Sequence, residues 1–109
     1  YLKLNKMSIF EKIFGIKTTD YNQLIKDGAI VIDVRTPGEF DSGHINGSIN
    51  VPLDKIKSKI KKIENLKKPV IFCCASGMRS GQATSIAKSR GIDVYNGGGW
   101  SSLNSKLNK

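Results

Sequence analysis

The stretch "CCASGMRSG", residues 73–81, places two thiols at the end of an apolar run. Small or flexible residues, an arginine and a segment of helical character follow. A thiol attacks as its thiolate, and an ordinary cysteine, with a pKa of about 8.5, is mostly protonated at neutral pH. A helix N-terminus and a nearby cation lower that value and make the sulfur a nucleophile. Ala75, Ser76, Gly77 and Met78 let the backbone curl with its N–H groups pointing inward, as an anion-binding nest. Arg79 and Ser80 then open the helix, whose first turn adds positive potential at the same point. The spacing predicts a nucleophile at Cys74, with Ala75, Ser76, Gly77, Met78, Arg79 and Ser80 forming its cradle. Because side chains alternate along a strand, Cys73 is expected to face the other way, as an inert thiol in a packed layer.

Other chemistry is poorly supplied. Adjacent cysteines do not make a disulfide framework, and a bridge between them would be strained. His44 is the only histidine and no paired-ligand spacing exists, so neither a metal nor a cofactor is expected. His44 lies in a glycine-flanked loop and reads as a hydrogen-bonded structural residue, since a thiolate that already exists needs no general base. Asp33 and Arg35, at the end of another apolar run, are open to two readings, an ordinary ion pair or support for the site. Trp100, after three glycines, is expected to pack in the core or at its rim.

The elements that must hold these residues are legible in outline. "SIFEKIFG" (8–15) reads as a short helix with Ser8 and Glu11 as a capping box and Gly15 as its stop, packed on the domain. "TTDYNQLIKDGA" (18–29) reads as a second, capped by Thr18 or Thr19, burying Tyr21, Leu24 and Ile25 and ending at Gly28. "AIVIDV" and "VIFCC" are continuous apolar runs too short for helices, the pattern of buried parallel strands. Between them, "TPGEFDSGHINGSINVPL" is a loop with at most one helical turn at "PGEF" and a short extended piece at "INVPL". In "DKIKSKIKKIENLKK", Ile56, Ile60 and Ile63 recur at the spacing of one helical face. "RSGQATSIAKSRG" is a helix ending at Gly91, "IDVYN" a third main strand, "GGG" a turn and "WSSLNSKL" a closing helix. Strands alternating with helices predict an α/β fold with a mainly parallel central sheet and helices on both faces. The nucleophile then sits beyond the carboxyl end of a strand, where such sheets bind ligands.

Composition narrows the function classes. The 109 residues suit one domain, with 39% hydrophobic and 25% charged residues as in ordinary globular chains. The net charge of +9, from 18 basic and 9 acidic residues, raises the question of nucleic acid. Seven lysines, however, fall between Lys55 and Lys68 around the isoleucine stripe. That is a solvated helix face without aromatic interleaving, so no nucleic-acid partner is expected. No apolar run approaches the ~20 residues needed to cross a bilayer, so no membrane partner is expected either. Unpaired cysteines suggest a cytoplasmic home, with secreted or periplasmic sites left open because the chain starts at Tyr1 rather than Met.

Three segments, "VIDVRTPGEFDSGHINGSINVPL", "VIFCCASGMRSGQA" and "VYNGGGW", occur in the order of the rhodanese homology domain, and the chain resembles that family from about Thr18 to Leu107. The resemblance implies residues 1–17 as an N-terminal extension with a short helix, and 18–109 as a single rhodanese-like domain. It also implies a sulfurtransferase in which Cys74, in the Cys-x-x-Gly-x-Arg-Ser loop, carries sulfur as a persulfide. The partners implied are a small sulfur donor, such as thiosulfate or a persulfide, and a thiol acceptor, a protein sulfur carrier among them, with the chain a monomer. By the same resemblance Asp33 and Arg35 line or brace the site, and Glu39 and His44 belong to a bracing segment.

Two alternatives stay open. Cysteine phosphatases of the cell-cycle type share this fold and a Cys-to-Arg loop, but theirs is one residue longer than the four residues between Cys74 and Arg79. Non-catalytic binding modules of the rhodanese type form the other class. Ala75 and Met78 stand where thiosulfate-active members commonly carry basic residues, so thiosulfate is expected to be a poor donor.

Overall fold

The computed structural model describes residues 19–107. The helix expected at 8–15 lies outside them. In chain order the elements are α1 (Tyr21–Lys26), β1 (Ile30–Asp33), α2 (Pro37–Asp41), β2 (Ile49–Asn50), a 3-10 turn (Leu53–Lys55), α3 (Ile56–Asn65), β3 (Val70–Cys74), α4 (Met78–Ser89), β4 (Val94–Gly99) and α5 (Trp100–Leu107). The four strands pair in parallel in the order β2-β1-β3-β4, with β3, the strand that ends at Cys74, in the interior. This is the α/β arrangement with a parallel sheet that the alternating pattern predicts.

Strand alternation divides the core into two layers. Ile32, Val34, Phe72 and Cys74 join Ile56, Ile60 and Ile63 of α3 and Ala83 and Ala87 of α4 on one face. Val31, Ile71 and Cys73 join Ile45 and Leu103 of α5 on the other, with Tyr21 and Leu24 of α1 against them. Cys73 and Cys74 therefore belong to different layers. Along α3 the three isoleucines are buried while Lys57, Lys59, Lys61 and Lys62 face solvent.

Several local details differ from the sequence reading. The cap of α1 is Asp20, whose carboxylate accepts from the Gln23 N–H at 3.1 Å, rather than Thr18 or Thr19. Ile25 is 37% exposed instead of buried. The helix α4 starts at Met78, one residue early, because Gly77, at φ +104°, serves as its N-cap.

The larger difference is the glycine run. It is no turn: β4 continues through Gly97, Gly98 and Gly99, and α5 follows without a linker. The glycines serve close approach. A Cβ on Gly97 would lie 2.9 Å from Ile71 Cγ2 and from Leu103 Cδ2, and one on Gly99 would lie 2.9 Å from the Ala75 carbonyl oxygen. The register slips here, with Phe72 opposite Asn96 but Cys73 opposite Gly98. Such a bulge re-aims neighbouring side chains.

Candidate active site

The sulfur of Cys74 sits at the carboxyl end of β3, under the loop that enters α4. Gly77, in the left-handed region, folds the loop back so that its N–H donates to Cys74 Sγ at 3.0 Å. The Cys74 thiol in turn donates to Ser80 Oγ at 3.4 Å. Burial pushes the Cys74 thiol up. The Ser80 hydroxyl and the amides of Ser80, Gly77 and Ser76 outweigh it, leaving the pKa below that of an ordinary thiol. Cys74 is only 1% exposed, whereas Ala75 and Ser76 above it are exposed. The Cys74 sulfur is thus the floor of a shallow cover one loop thick. Ser80 is fully buried beside it, and Met78, 75% exposed, turns its side chain outward.

The position of Arg79 differs from the expected one. Its guanidinium forms a two-pronged ion pair with Glu39 of α2, Nη1 to Oε1 at 2.8 Å and Nη2 to Oε2 at 3.0 Å. Arg79 holds the Glu39 carboxyl down at about 2, helped by the Thr36 N–H. Glu39 also closes a capping box with Thr36, which fixes α2. The positive charge counted on for the thiolate is met by a carboxylate, and the leading stabilisers of the sulfur are instead Ser80 and the loop amides.

Asp33 and Arg35 occupy the opposite face of the sheet. Arg35 Nε and Nη2 donate to the Asp33 carboxylate at 2.8–3.0 Å, with both side chains buried. Nη2 also donates to the Gly43 carbonyl at 2.6 Å and Nη1 to that of Glu39 at 3.3 Å, and the guanidinium lies 4.7 Å over the Trp100 ring. Of the two readings open to this pair, an ordinary ion pair or support for the site, the structure shows the ion pair, buried on the face away from Cys74. It ties β1 to residues 36–44 and, through them, holds Glu39 opposite Arg79. His44 stacks on Phe40, with ring centroids 3.7 Å apart, and its Nδ1 lies 2.7 Å from the Phe40 carbonyl oxygen. Cys73, beside Asp33 on this face, is buried, and burial followed by the Asp33 carboxylate pushes its thiol up to about 12. The two thiols, neither in a disulfide, thus have opposite character.

Sequence reasoning passed over Asn96. Its Oδ1 accepts from Ser80 Oγ at 2.6 Å and from the Gly98 N–H at 3.0 Å, and its Nδ2 donates to the Gly77 carbonyl at 3.3 Å. The available signal was a lone amide among the apolar and glycine residues of the strand next to β3. Reading the glycines as a turn hid it.

Comparison with known proteins matches residues 17–106 to the family described as Rhodanese-like domain. The thiosulfate sulfurtransferase PspE of Escherichia coli is 37% identical over 70 residues, 62% of this chain and 67% of that protein. The thiosulfate:glutathione sulfurtransferase of Saccharomyces cerevisiae is 39% identical over 75 residues, 57% of this chain and 53% of that one. The chain thus spans about half to two thirds of the length of these relatives. Among solved structures, an E. coli rhodanese with bound anions superposes with a TM-score of 0.63 at 36% identity, covering 68% of this chain and 89% of its own.

Proposed function

The chain belongs to the rhodanese-like domain family, and from that premise we propose that it transfers sulfane sulfur through a persulfide on Cys74. The observation that carries this reading is the cradle itself: a sulfur at the mouth of α4, with the Gly77 N–H at 3.0 Å and Ser80 Oγ at 3.4 Å. A thiolate held this way forms more readily than that of an ordinary cysteine.

The transfer takes two displacements. Cys74 Sγ attacks the outer sulfur of the donor, a new S–S bond forms, and the old bond breaks with its electron pair leaving on the donor remnant, sulfite or a thiolate. The terminal sulfur, now carrying the negative charge, faces the loop amides. An acceptor thiolate then attacks that terminal sulfur, and Cys74 departs as the thiolate it began as. Nucleophile ionisation and leaving-group stability govern both steps, as in thiol–disulfide exchange. A thiol acceptor is consistent with the glutathione named for the yeast relative, and a thiol on a protein sulfur carrier has the same chemistry.

The donor class follows from charge. Ala75 and Met78 contribute none, and Glu39 meets the charge of Arg79. A dianion such as thiosulfate finds little net attraction at this loop, so a persulfide or polysulfide is the better donor. Mass spectrometry after incubation with donor tests the reading. One added sulfur on the Cys74 peptide, removable by thiol and absent in Cys74→Ser, supports it. No adduct, with transfer unchanged in Cys74→Ser, overturns it.

A further inference from the structure

The Ser80 hydroxyl has one hydrogen and two neighbours that want it. Its oxygen lies 3.4 Å from Cys74 Sγ and 2.6 Å from Asn96 Oδ1, and all three side chains are fixed by the backbone. Cys74 closes β3, Ser80 is fully buried in the first turn of α4, and Asn96 is held by the Gly98 N–H and its own contact with Gly77. While Cys74 is a thiol the chain is consistent: S–H donates to Ser80 Oγ, and Ser80 O–H donates to Asn96. When the sulfur gives up its proton to solvent, this arrangement leaves an anion facing the lone pairs of Ser80. The hydroxyl must then rotate toward sulfur, and Asn96 Oδ1 keeps only the Gly98 N–H.

We infer that Asn96 is a positioning residue for the nucleophile, its carboxamide oxygen competing with the Cys74 sulfur for the single Ser80 hydrogen. The hydroxyl is a two-position rotor that turns to Sγ in the thiolate and back to Asn96 when Sγ is neutral. No covalent bond changes in the rotation, and the only proton released is the one the thiol gives to solvent. Its use in turnover rests on the sulfurtransferase reading. Once the persulfide forms, the negative charge moves from Sγ to the terminal sulfur, and Asn96 draws the hydrogen away from a sulfur that no longer needs it. Both Sγ states of the cycle are thereby served by one hydrogen.

The competition gives Ser80 and Asn96 opposite signs. Removing the hydroxyl takes a donor from the thiolate, whereas removing the Asn96 oxygen frees that donor for it. The Nδ2 contact of Asn96 is dispensable, because the Gly77 carbonyl also accepts the Gly81 N–H at 3.0 Å, whereas the Gly98 N–H loses its side-chain acceptor in Asn96→Ala. Among the described residues, the charged and titratable groups around Cys74 are Arg79, paired with Glu39 of α2, and Cys73 and the Asp33–Arg35 pair across the sheet. None of these bonds to Ser80 or Asn96, and the Tyr21 hydroxyl donates only to the Asn96 main-chain carbonyl at 3.1 Å, a contact that side-chain substitution leaves in place, so all are common to the variants compared.

The test is the pH dependence of iodoacetamide alkylation at Cys74 in the intact chain, read on the Cys74 peptide by mass spectrometry. The midpoint reports ionisation, and the plateau rate reports access. Ser80→Ala is expected to raise the midpoint, Asn96→Ala to lower it by about half a unit to one unit, and the double variant to match Ser80→Ala. A loosened loop alone changes the plateau and leaves the midpoint. An unchanged or raised midpoint in Asn96→Ala, or the same shift with Ser80 absent, overturns the inference. Should Asn96→Ala fail to fold, Asn96→Asp offers a stronger acceptor: a raised midpoint that shrinks in the Ser80→Ala background supports the competition, and one of equal size in both backgrounds overturns it. The assay uses no sulfur donor, so its failure and a failure of sulfur transfer are separately visible.

Discussion

Arg79 and Glu39, 40 residues apart in sequence, close on each other with two hydrogen bonds of 2.8 and 3.0 Å at the rim of the Cys74 loop. The pair clamps α2 to the start of α4 and removes the net charge that the loop would otherwise present to a donor. In Glu39→Gln the guanidinium is unmatched, and thiosulfate use is expected to rise relative to a persulfide donor. Because the pair is partly exposed, the change in the ratio of kcat/KM values should be modest, ~3- to 10-fold. Steady-state assays with both donors check it.

The same pair has a pH signature. Glu39 sits at about 2 in the folded chain against an ordinary 4.5. A carboxyl lowered by folding stabilises the fold above its unfolded pKa, and that contribution disappears as pH falls through the folded value. The melting temperature of the wild type should therefore exceed that of Glu39→Gln at pH 6–7, with the gap narrowing below about pH 4.5 and closing near pH 2.

Cys73 and Cys74 are neighbours whose thiols are shifted in opposite directions. In the native chain a thiol-directed alkylator at neutral pH should label Cys74, while Cys73, pushed up to about 12 and buried, stays unlabelled until the chain unfolds. Peptide mapping with and without denaturant reads the difference.

The two close-approach glycines separate stability from activity. A methyl at Gly97 meets Ile71, Leu103 and the Phe72 carbonyl at 2.9–3.0 Å, inside the core. Gly97→Ala should cost about 1–3 kcal/mol in denaturant titration. A methyl at Gly99 meets the Ala75 carbonyl, in the loop above Cys74. Gly99→Ala should lower sulfur transfer more steeply than it lowers the melting temperature.

The buried Asp33–Arg35 pair predicts the converse. Asp33→Asn leaves the Arg35 guanidinium, whose pKa the Asp33 hydrogen bonds raise, without its counter-charge in a buried site. A loss of about 3–5 kcal/mol is expected. Because the pair lies across the sheet from Sγ, the Cys74 midpoint in folded Asp33→Asn should stay where it is. Thermal melts and the alkylation profile together check this.

The main features legible in sequence are those written in periodicity. Continuous apolar runs gave β1 and β3, the isoleucine stripe gave α3, and strand alternation placed Cys73 and Cys74 on opposite faces. What escaped depends on contacts between distant segments. Nothing local marks Glu39 as the partner of Arg79, since the pair exists only because residues 36–44 fold over the end of the sheet. The glycines of β4 look like a turn because a turn and a close approach demand the same residue, and only the packing of Ile71, Leu103 and Ala75 tells them apart. Asn96 was lost with them, since it stands opposite Phe72 and meets Ser80 only through the packing of α4 on that face of the sheet.

The most direct measurement is an ultraviolet titration of thiolate absorbance in the native chain, with Cys74→Ser as control. Burial and the Asp33 carboxylate push Cys73 up to about 12, so a thiolate appearing near neutrality is assigned to its neighbour. One thiolate forming with a midpoint below the ordinary cysteine value of about 8.5, and missing in Cys74→Ser, is the expected result. A native chain whose absorbance stays flat until well above that value would contradict a sulfur whose ionisation Ser80 and the loop amides favour.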